Sequence, residues 1–214
     1  IESIKDLTGF DVDIISGKEE ALLDFKGATN QFLYENGVLV HIGGGSTEIV
    51  VFKNRQVISA DSMPVGSLNM YIKHVNKIIP KEKERIAIKE DVLENLKTLG
   101  IKAETIRTIC GVGGTIRAAC KLSNDMFNHP QNNLIVNVKH LDKVVDSIKD
   151  SKKLTLKPLL KNVPDRIHTI IPGLIVLETI ANYFNSQNII VSRYGVREGY
   201  LYERILKKET NKET

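Results

Sequence analysis

The stretch Val38-Leu39-Val40-His41-Ile42-Gly43-Gly44-Gly45-Ser46-Thr47-Glu48-Ile49-Val50-Val51-Phe52 decides the fold. Two runs rich in β-branched residues, Val38 to Ile42 and Glu48 to Phe52, flank five turn residues, so the segment reads as two antiparallel strands joined by a glycine-rich turn. Lys53-Asn54-Arg55 marks a second turn and Gln56 to Met63 a third strand, which completes an antiparallel meander. Three successive glycines remove every Cβ that would block a ligand, allow positive φ, and let neighbouring backbone N–H groups converge on one anion. Ser46 and Thr47 are expected to add hydroxyl donors. The bland alternative is an unliganded hairpin, for which a single Asn-Gly would serve at lower entropic cost. No Gly-Lys-Ser/Thr follows, so the turn is not a Walker loop. A strand rather than a helix follows, so it is not a dinucleotide fingerprint either.

Further along, Lys81 to Leu99 carries Ile88, Val92, Leu96 and Leu99 on a single helical face. Arg107 to Cys110 reads as a strand, Gly111-Val112-Gly113-Gly114 as a tight turn, and Thr115 to Leu122 as a helix. A second glycine turn therefore presents helix N-terminal N–H groups and the positive dipole end to an anion; its bland alternative is a tight connection with Thr115 as N-cap. Residues 123 to 133 read as a polar loop. Pro172 sits where a first-turn proline belongs, with Leu174, Leu177, Ala181 and Phe184 continuing one face. Ile189 to Val191 reads as a short buried strand, Gly199 to Leu206 as a last helix and Lys207 to Thr214 as a frayed tail. On the other side of the meander, residues 1 to 15 read as the end of a helix and a short strand, Val12 to Ile15. Lys18 to Phe25 then reads as a helix with Ala21, Leu22 and Phe25 on one side.

Composition narrows the class. Of 214 residues, 42% are apolar and 26% charged, as in ordinary globular proteins. No apolar run reaches membrane-span length and no signal pattern opens the chain, so a cytoplasmic location without membrane contact is the expectation. The net charge of +4 is spread along the chain. It mildly favours polyanions, but no basic stripe with interleaved aromatics argues for DNA. Cys110 and Cys120 lack zinc-ligand or redox spacing and read as buried, reduced packing residues. His74, His129, His140 and His168 show no ligand spacing.

Five motifs then assemble in order: Ile15-Ser16-Gly17-Lys18-Glu19-Glu20-Ala21, Ile42-Gly43-Gly44-Gly45-Ser46-Thr47-Glu48, Gly111-Val112-Gly113-Gly114-Thr115-Ile116, Ile171-Pro172-Gly173 and Gly195-Val196-Arg197-Glu198-Gly199. Together they resemble the exopolyphosphatase and guanosine pentaphosphate phosphohydrolase family, from about Asp11 to Leu206. The resemblance implies an α/β, actin-like (ribonuclease H-like) ATPase superfold: a mixed sheet flanked by helices, in a protein of two related lobes with phosphates bound between them. It implies hydrolysis of polyphosphate or guanosine pentaphosphate with Mg²⁺. Glu20 matches the family's catalytic base, Glu48 the metal-binding end of the turn, and Gly43, Gly44, Gly45, Ser46, Thr47, Gly111, Gly113, Gly114 and Thr115 the phosphate-binding turns. From the residues alone, Glu20 reads equally as a surface carboxylate beside Glu19, and Glu48 as a solvent-facing strand residue.

The expected organisation is a remnant of a first lobe and crossover helix over residues 1–35, a second actin-like lobe over 36–190, and a C-terminal strand end, helix and tail over 191–214. Two features depart from the family. The first lobe's Asp-x-Gly-Ser-Asn-Ser turn is not in the sequence, so the missing first lobe is an expected partner, the isolated chain is expected to be inactive, and a homodimer stays open. The family's aspartate two residues before the glycine turn is His41 here, which suits a softer metal than Mg²⁺, a hydrogen bond to phosphate, or simple packing. A non-catalytic module that senses polyphosphate or a nucleotide is therefore the alternative to an enzyme. A sugar kinase or heat-shock-type ATPase of the same superfold is disfavoured by the Ser-Gly-x-Glu-Glu and Arg-Glu-Gly motifs. The roles of Arg197 and Glu198 stay open.

Overall fold

The structure, a computed structural model, describes residues 2–29, 34–149 and 153–206. In chain order it contains α1 (Glu2–Thr8), α2 (Gly17–Thr29), β1 (Gly37–Ile42), β2 (Thr47–Lys53), β3 (Gln56–Met63), α3 (Ser67–His74), α4 (Glu82–Thr98), β4 (Thr108–Val112), α5 (Gly114–Met126), β5 (Ile135–Asn137), α6 (Val138–Ser147), α7 (Lys153–Asn162), α8 (Ile170–Tyr183), β6 (Asn188–Val191) and α9 (Val196–Tyr200). A 3₁₀ turn, Pro164–Arg166, precedes α8, and a π-helical stretch, Leu201–Leu206, follows α9. The strands form one sheet in the order β3-β2-β1-β4-β6-β5. The antiparallel meander β1 to β3 is present, β4 and β6 extend it in parallel, and β5 closes the far edge antiparallel to β6.

The central strand β1 is apolar on both faces, as a strand covered from both sides must be. Val38, Val40 and Ile42 point to one face. There they join Ile88, Val92 and Leu96 of α4, Ile116 of α5 and Leu174, Leu177 and Ile180 of α8 in the main core. Helix α8 is buried on every side, which explains why its apolar residues run on beyond one stripe. Leu39 points to the opposite face, where it meets Val50, Phe52, Cys110 and Val112 and is covered by Ala21, Phe25 and Ala28 of α2. By the two-residue period of a strand, His41 and Glu48 share this second face, under α2.

Helix α2 is fixed at both ends. Ser16 and Glu19 cap its start reciprocally: the Ser16 N–H donates to Glu19 Oε2 at 3.0 Å and the Glu19 N–H to Ser16 Oγ at 3.2 Å. Near its C-terminal end it meets α9 backbone to backbone. A Cβ on Gly199 would stand 1.9 Å from the Leu23 carbonyl oxygen, and one on Gly27 2.0 Å from the Gly195 carbonyl oxygen. Most of the Gly-x-x-x-Gly motif at 195–199 is thereby explained as close packing onto the helix that carries Glu20. Glu198 caps α9 by accepting the Gly195 N–H at 2.8 Å, and Arg197 is exposed.

Several expectations need correction. Val12–Ile15 is not a strand: the segment is largely exposed and pairs with no other described strand, and an extended run without a ladder is not held as one. Gly111 lies inside β4, and the supposed loop at 123–133 begins as the last turn of α5. The last helix divides into α9 and the π-helical stretch. Short helices α3 and α6 and strand β5 were not foreseen. The N-cap of α5 is Gly113, at φ +96°, not Thr115. The expected tail, Lys207 to Thr214, lies outside the described residues.

Candidate active site

The hairpin register pairs His41 directly with Glu48 across β1 and β2. Residues opposite on an antiparallel pair project to the same side and touch. Above them, Glu20 and Asp24 lie one turn apart on α2, the spacing that puts two side chains on one helical face. Three consecutive elements, α2, β1 and β2, thus bring four ionisable side chains together. His41 Nδ1 lies 2.7 Å from Asp24 Oδ2, 3.6 Å from Glu48 Oε2 and 3.8 Å from Glu20 Oε1. Asp24 and Glu48 have fully buried side chains, His41 is 16% exposed and Glu20 33%. Glu48 Oε1 accepts the Ser62 hydroxyl at 2.9 Å, but its other oxygen is buried without a hydrogen bond. All four ligand atoms lie within 4.8 Å of one another, so the cluster could hold a metal ion.

Electrostatics follow from this crowding. Burial, then the Glu48 charge, push the Glu20 carboxyl above the usual range; His41 opposes them, and Asp24 adds a smaller upward push. Burial pulls the His41 imidazole down, but the Asp24 hydrogen bond and the charges of Asp24, Glu48 and Glu20 outweigh it, and the net shift is upward. The surface-carboxylate readings of Glu20 and Glu48 are not what is observed. Glu19 takes the capping role, while Glu20 turns towards the sheet and Glu48 is interior.

The first glycine turn lies immediately beyond His41. Its carbonyls are tied back into the fold: Gly43 O accepts the Ser67 N–H at 2.9 Å, Gly44 O the N–H groups of Leu68 and Asn69 at 2.9 and 3.0 Å, and Gly45 O the Asn69 side chain at 2.7 Å. The start of α3 therefore anchors the acceptors, and among the described residues the N–H groups of Gly44, Gly45 and Ser46 have no backbone partner. Neither Gly44 nor Gly45 takes a positive φ. A Cβ would stand 3.7 Å from Leu68 at Gly44 and 4.0 Å from Asn69 at Gly45, ordinary contact distances. Neither backbone conformation nor internal packing demands glycine at these two positions.

Three turn residues do not fit the expected cradle. The Gly43 N–H closes the turn on Ser46 O at 2.9 Å. The Thr47 hydroxyl is buried and donates to the Val65 carbonyl. Gly111 is paired within the sheet, and its missing Cβ makes room for Ile116, 2.5 Å away.

The second glycine turn leaves β4 beside the end of β1, because the parallel register sets His41 against Val112. A Cβ on Gly113 would stand 2.9 Å from His41 Nε2, so the imidazole spans from the carboxylates to this turn. The first-turn N–H groups of α5 have no side-chain cap. Thr115 is buried, and Gly173, from the Ile-Pro-Gly motif, packs against its methyl group, 2.7 Å from where a Cβ would be. The Arg166 guanidinium lies over Gly114, with a hollow of about 160 Å³ beside it that Arg117 and Lys121 also line. Sequence reading missed Arg166 and Asp24. Arg166 reaches the turn only through tertiary folding, whereas the four-residue spacing of Asp24 from Glu20 was a readable signal.

A family model described as the Ppx/GppA phosphatase family matches residues 1–208. The bifunctional 3-dehydroquinate synthase/phosphatase of Fusobacterium nucleatum is 30% identical over 220 residues, covering 97% of this chain and 32% of that protein. The guanosine-5'-triphosphate,3'-diphosphate pyrophosphatase of Photobacterium profundum is 24% identical over 219 residues, covering 97% of this chain and 41% of that protein. The chain thus spans less than half the length of these two curated relatives. The crystal structure of the Aquifex aeolicus Ppx/GppA family member superposes with a TM-score of 0.79 at 25% identity, over 97% of this chain and 68% of that one. The fold is the actin-like ATPase superfold, with a mixed sheet flanked by helices.

Proposed function

The chain belongs to the Ppx/GppA phosphatase family, and from that premise we propose that the intact protein hydrolyses the terminal phosphoanhydride of inorganic polyphosphate or of guanosine pentaphosphate. In this reading the N–H groups of Gly44, Gly45 and Ser46 bind one phosphate. The start of α5, at Gly113, Gly114 and Thr115, binds its neighbour, with Arg166 as counter-charge. Glu20 accepts a proton from the attacking water as the water oxygen bonds to the terminal phosphorus and the bridging P–O bond breaks. A carboxylate raised towards neutrality by burial is suited to that work. Glu48, with the carboxylates beside it, could hold a divalent cation, Mg²⁺ by the family resemblance, which when bound supplies positive charge against the phosphate oxygens.

The observation that carries the proposal is the first glycine turn. Gly44 and Gly45 answer no need of the fold, and the turn's carbonyls are consumed while, among the described residues, the N–H groups of Gly44, Gly45 and Ser46 have no backbone partner. What remains for glycine to provide is clearance for a ligand against backbone donors. Gly44→Ala is therefore expected to weaken binding of pyrophosphate by at least about 10-fold, the equivalent of one lost charge-assisted hydrogen bond, with an unchanged melting temperature. Calorimetric titration and a thermal melt on the same sample test it. Unaltered affinity would remove the turn from the site.

A further inference from the structure

The Mg²⁺ carried over from the family resemblance meets a donor set that its chemistry does not favour. Mg²⁺ takes oxygen ligands and keeps much of its water, whereas imidazole suits Zn²⁺, Cu²⁺, Fe²⁺ and Ni²⁺ best, and Mn²⁺, at the foot of the same affinity series, accepts it more readily than Mg²⁺ does. Here an imidazole nitrogen stands at the middle of the cluster. His41 Nδ1 is 2.7 Å from Asp24 Oδ2 and 3.6 Å from Glu48 Oε2. Ligand atoms about 2.0–2.1 Å from a tetrahedral ion stand about 3.4 Å apart, so small side-chain movements would place these three around one centre.

The acidic residues alone would not make the case. The second observation is Glu48 Oε2, an oxygen of a completely buried side chain that faces the imidazole without a hydrogen bond. At 3.6 Å it is too far to be satisfied by His41, and leaving a buried carboxylate oxygen unpaired is costly. An ion seated between the two would satisfy it. Asp24 supports the same conclusion. Its side chain is fully buried beside Ala21, Phe25 and Ala28 of α2, with Oδ2 on His41 and Oδ1 without a hydrogen bond.

We infer that Asp24, His41 and Glu48 form a three-ligand centre selective for a first-row transition ion, Mn²⁺ or Zn²⁺, over Mg²⁺, with the fourth position open beside Glu20. Three protein ligands and one open position are the pattern of a catalytic rather than a structural site. Glu20, the most exposed of the four side chains, then stays free for the proton-accepting role assigned to it above. The inference rests on that functional reading for its purpose, but its binding test is independent of the glycine turn.

The test is metal binding by the chain at pH 8, followed by calorimetry with Mn²⁺, Zn²⁺ and Mg²⁺ and by pulsed electron paramagnetic resonance on the Mn²⁺ form. The expected results are one transition ion per chain, bound at least about 10-fold tighter than Mg²⁺, and a ¹⁴N coupling from imidazole on the bound Mn²⁺. His41→Asp should abolish the coupling and bring Mg²⁺ level with Mn²⁺. Asp24→Asn, which removes the charge of a direct ligand, should weaken Mn²⁺ binding by at least about 10- to 100-fold, the range for losing even an outer-shell partner. No ¹⁴N coupling in the unmodified chain, Mg²⁺ binding as tight as Mn²⁺, or no bound ion at all would each overturn the inference. Loss of metal binding with pyrophosphate affinity intact would leave the phosphate reading standing, and the reverse would leave the metal centre standing.

Discussion

Turnover of polyphosphate by the intact protein should fall by about 10²- to 10⁴-fold when Glu20 becomes Gln, the contribution typical of a positioned general base. Gln keeps the size and hydrogen-bonding reach of the side chain but cannot take a proton. Glu20 lies outside both glycine turns, so affinity for pyrophosphate should change little, and the loss should sit in kcat. Steady-state phosphate release with each variant separates the two parameters. An intact protein that binds polyphosphate, shows no turnover and is indifferent to this substitution would be a sensing module, the alternative that His41 keeps in view.

The second large effect is expected far from the chemistry. Gly199→Ala would drive a methyl group to within 1.9 Å of the Leu23 carbonyl oxygen, a backbone atom inside α2 that cannot rotate away. Alanine gains up to about 1 kcal/mol of helix propensity over glycine. Overpacking typically costs about 1–3 kcal/mol, and contact with backbone belongs at or beyond the top of that range. A net destabilisation of about 2 kcal/mol would lower the melting temperature of a chain this size by about 4–8 °C. Because α2 carries both Glu20 and Asp24, metal binding should weaken together with stability. Gly44→Ala is the informative contrast, since it should affect ligand binding and leave stability untouched. An unchanged melting temperature for Gly199→Ala would mean that α9 does not press on α2 as described.

Much of the sheet was legible because its signals are local. Alternation, β-branched runs and turn residues located the meander, and β3 runs from Gln56 to Met63 as read. The register of the hairpin then follows from its turn, which made the His41–Glu48 pair derivable. Elements stabilised by tertiary contact were harder to see. Helix α3 is short, and much of its role is to hold the carbonyls of the glycine turn. Strand β5 has three residues and exists through β6. In the other direction, Val12–Ile15 carries a strand-like pattern but has no partner strand among the described residues.

The site divided along the same line. The glycine turn Gly43 to Thr47 could be singled out by residue type alone, because glycine clearance is a property of the backbone. Glu20 could not, since a carboxylate in a first helical turn is ordinary, and only the resemblance separated it from Glu19. Their difference is rotational: Glu19 faces back to Ser16, and Glu20 faces the sheet. Gly111 and Thr47 show that members of a motif can also serve the fold. The first is a packing glycine under Ile116, and the second is a hydroxyl committed to Val65.

The most direct test of the central claim, that the two glycine turns form a phosphate site at the carboxyl ends of β1 and β4, is an amide NMR titration of the ¹⁵N-labelled chain with tripolyphosphate. The account predicts saturable shifts at Gly44, Gly45 and Ser46 and at Gly114 and Thr115, with the same apparent affinity at both turns and little change at exposed lysines elsewhere. Shifts confined to scattered lysines, with the amides of both turns unmoved at saturating tripolyphosphate, would contradict it.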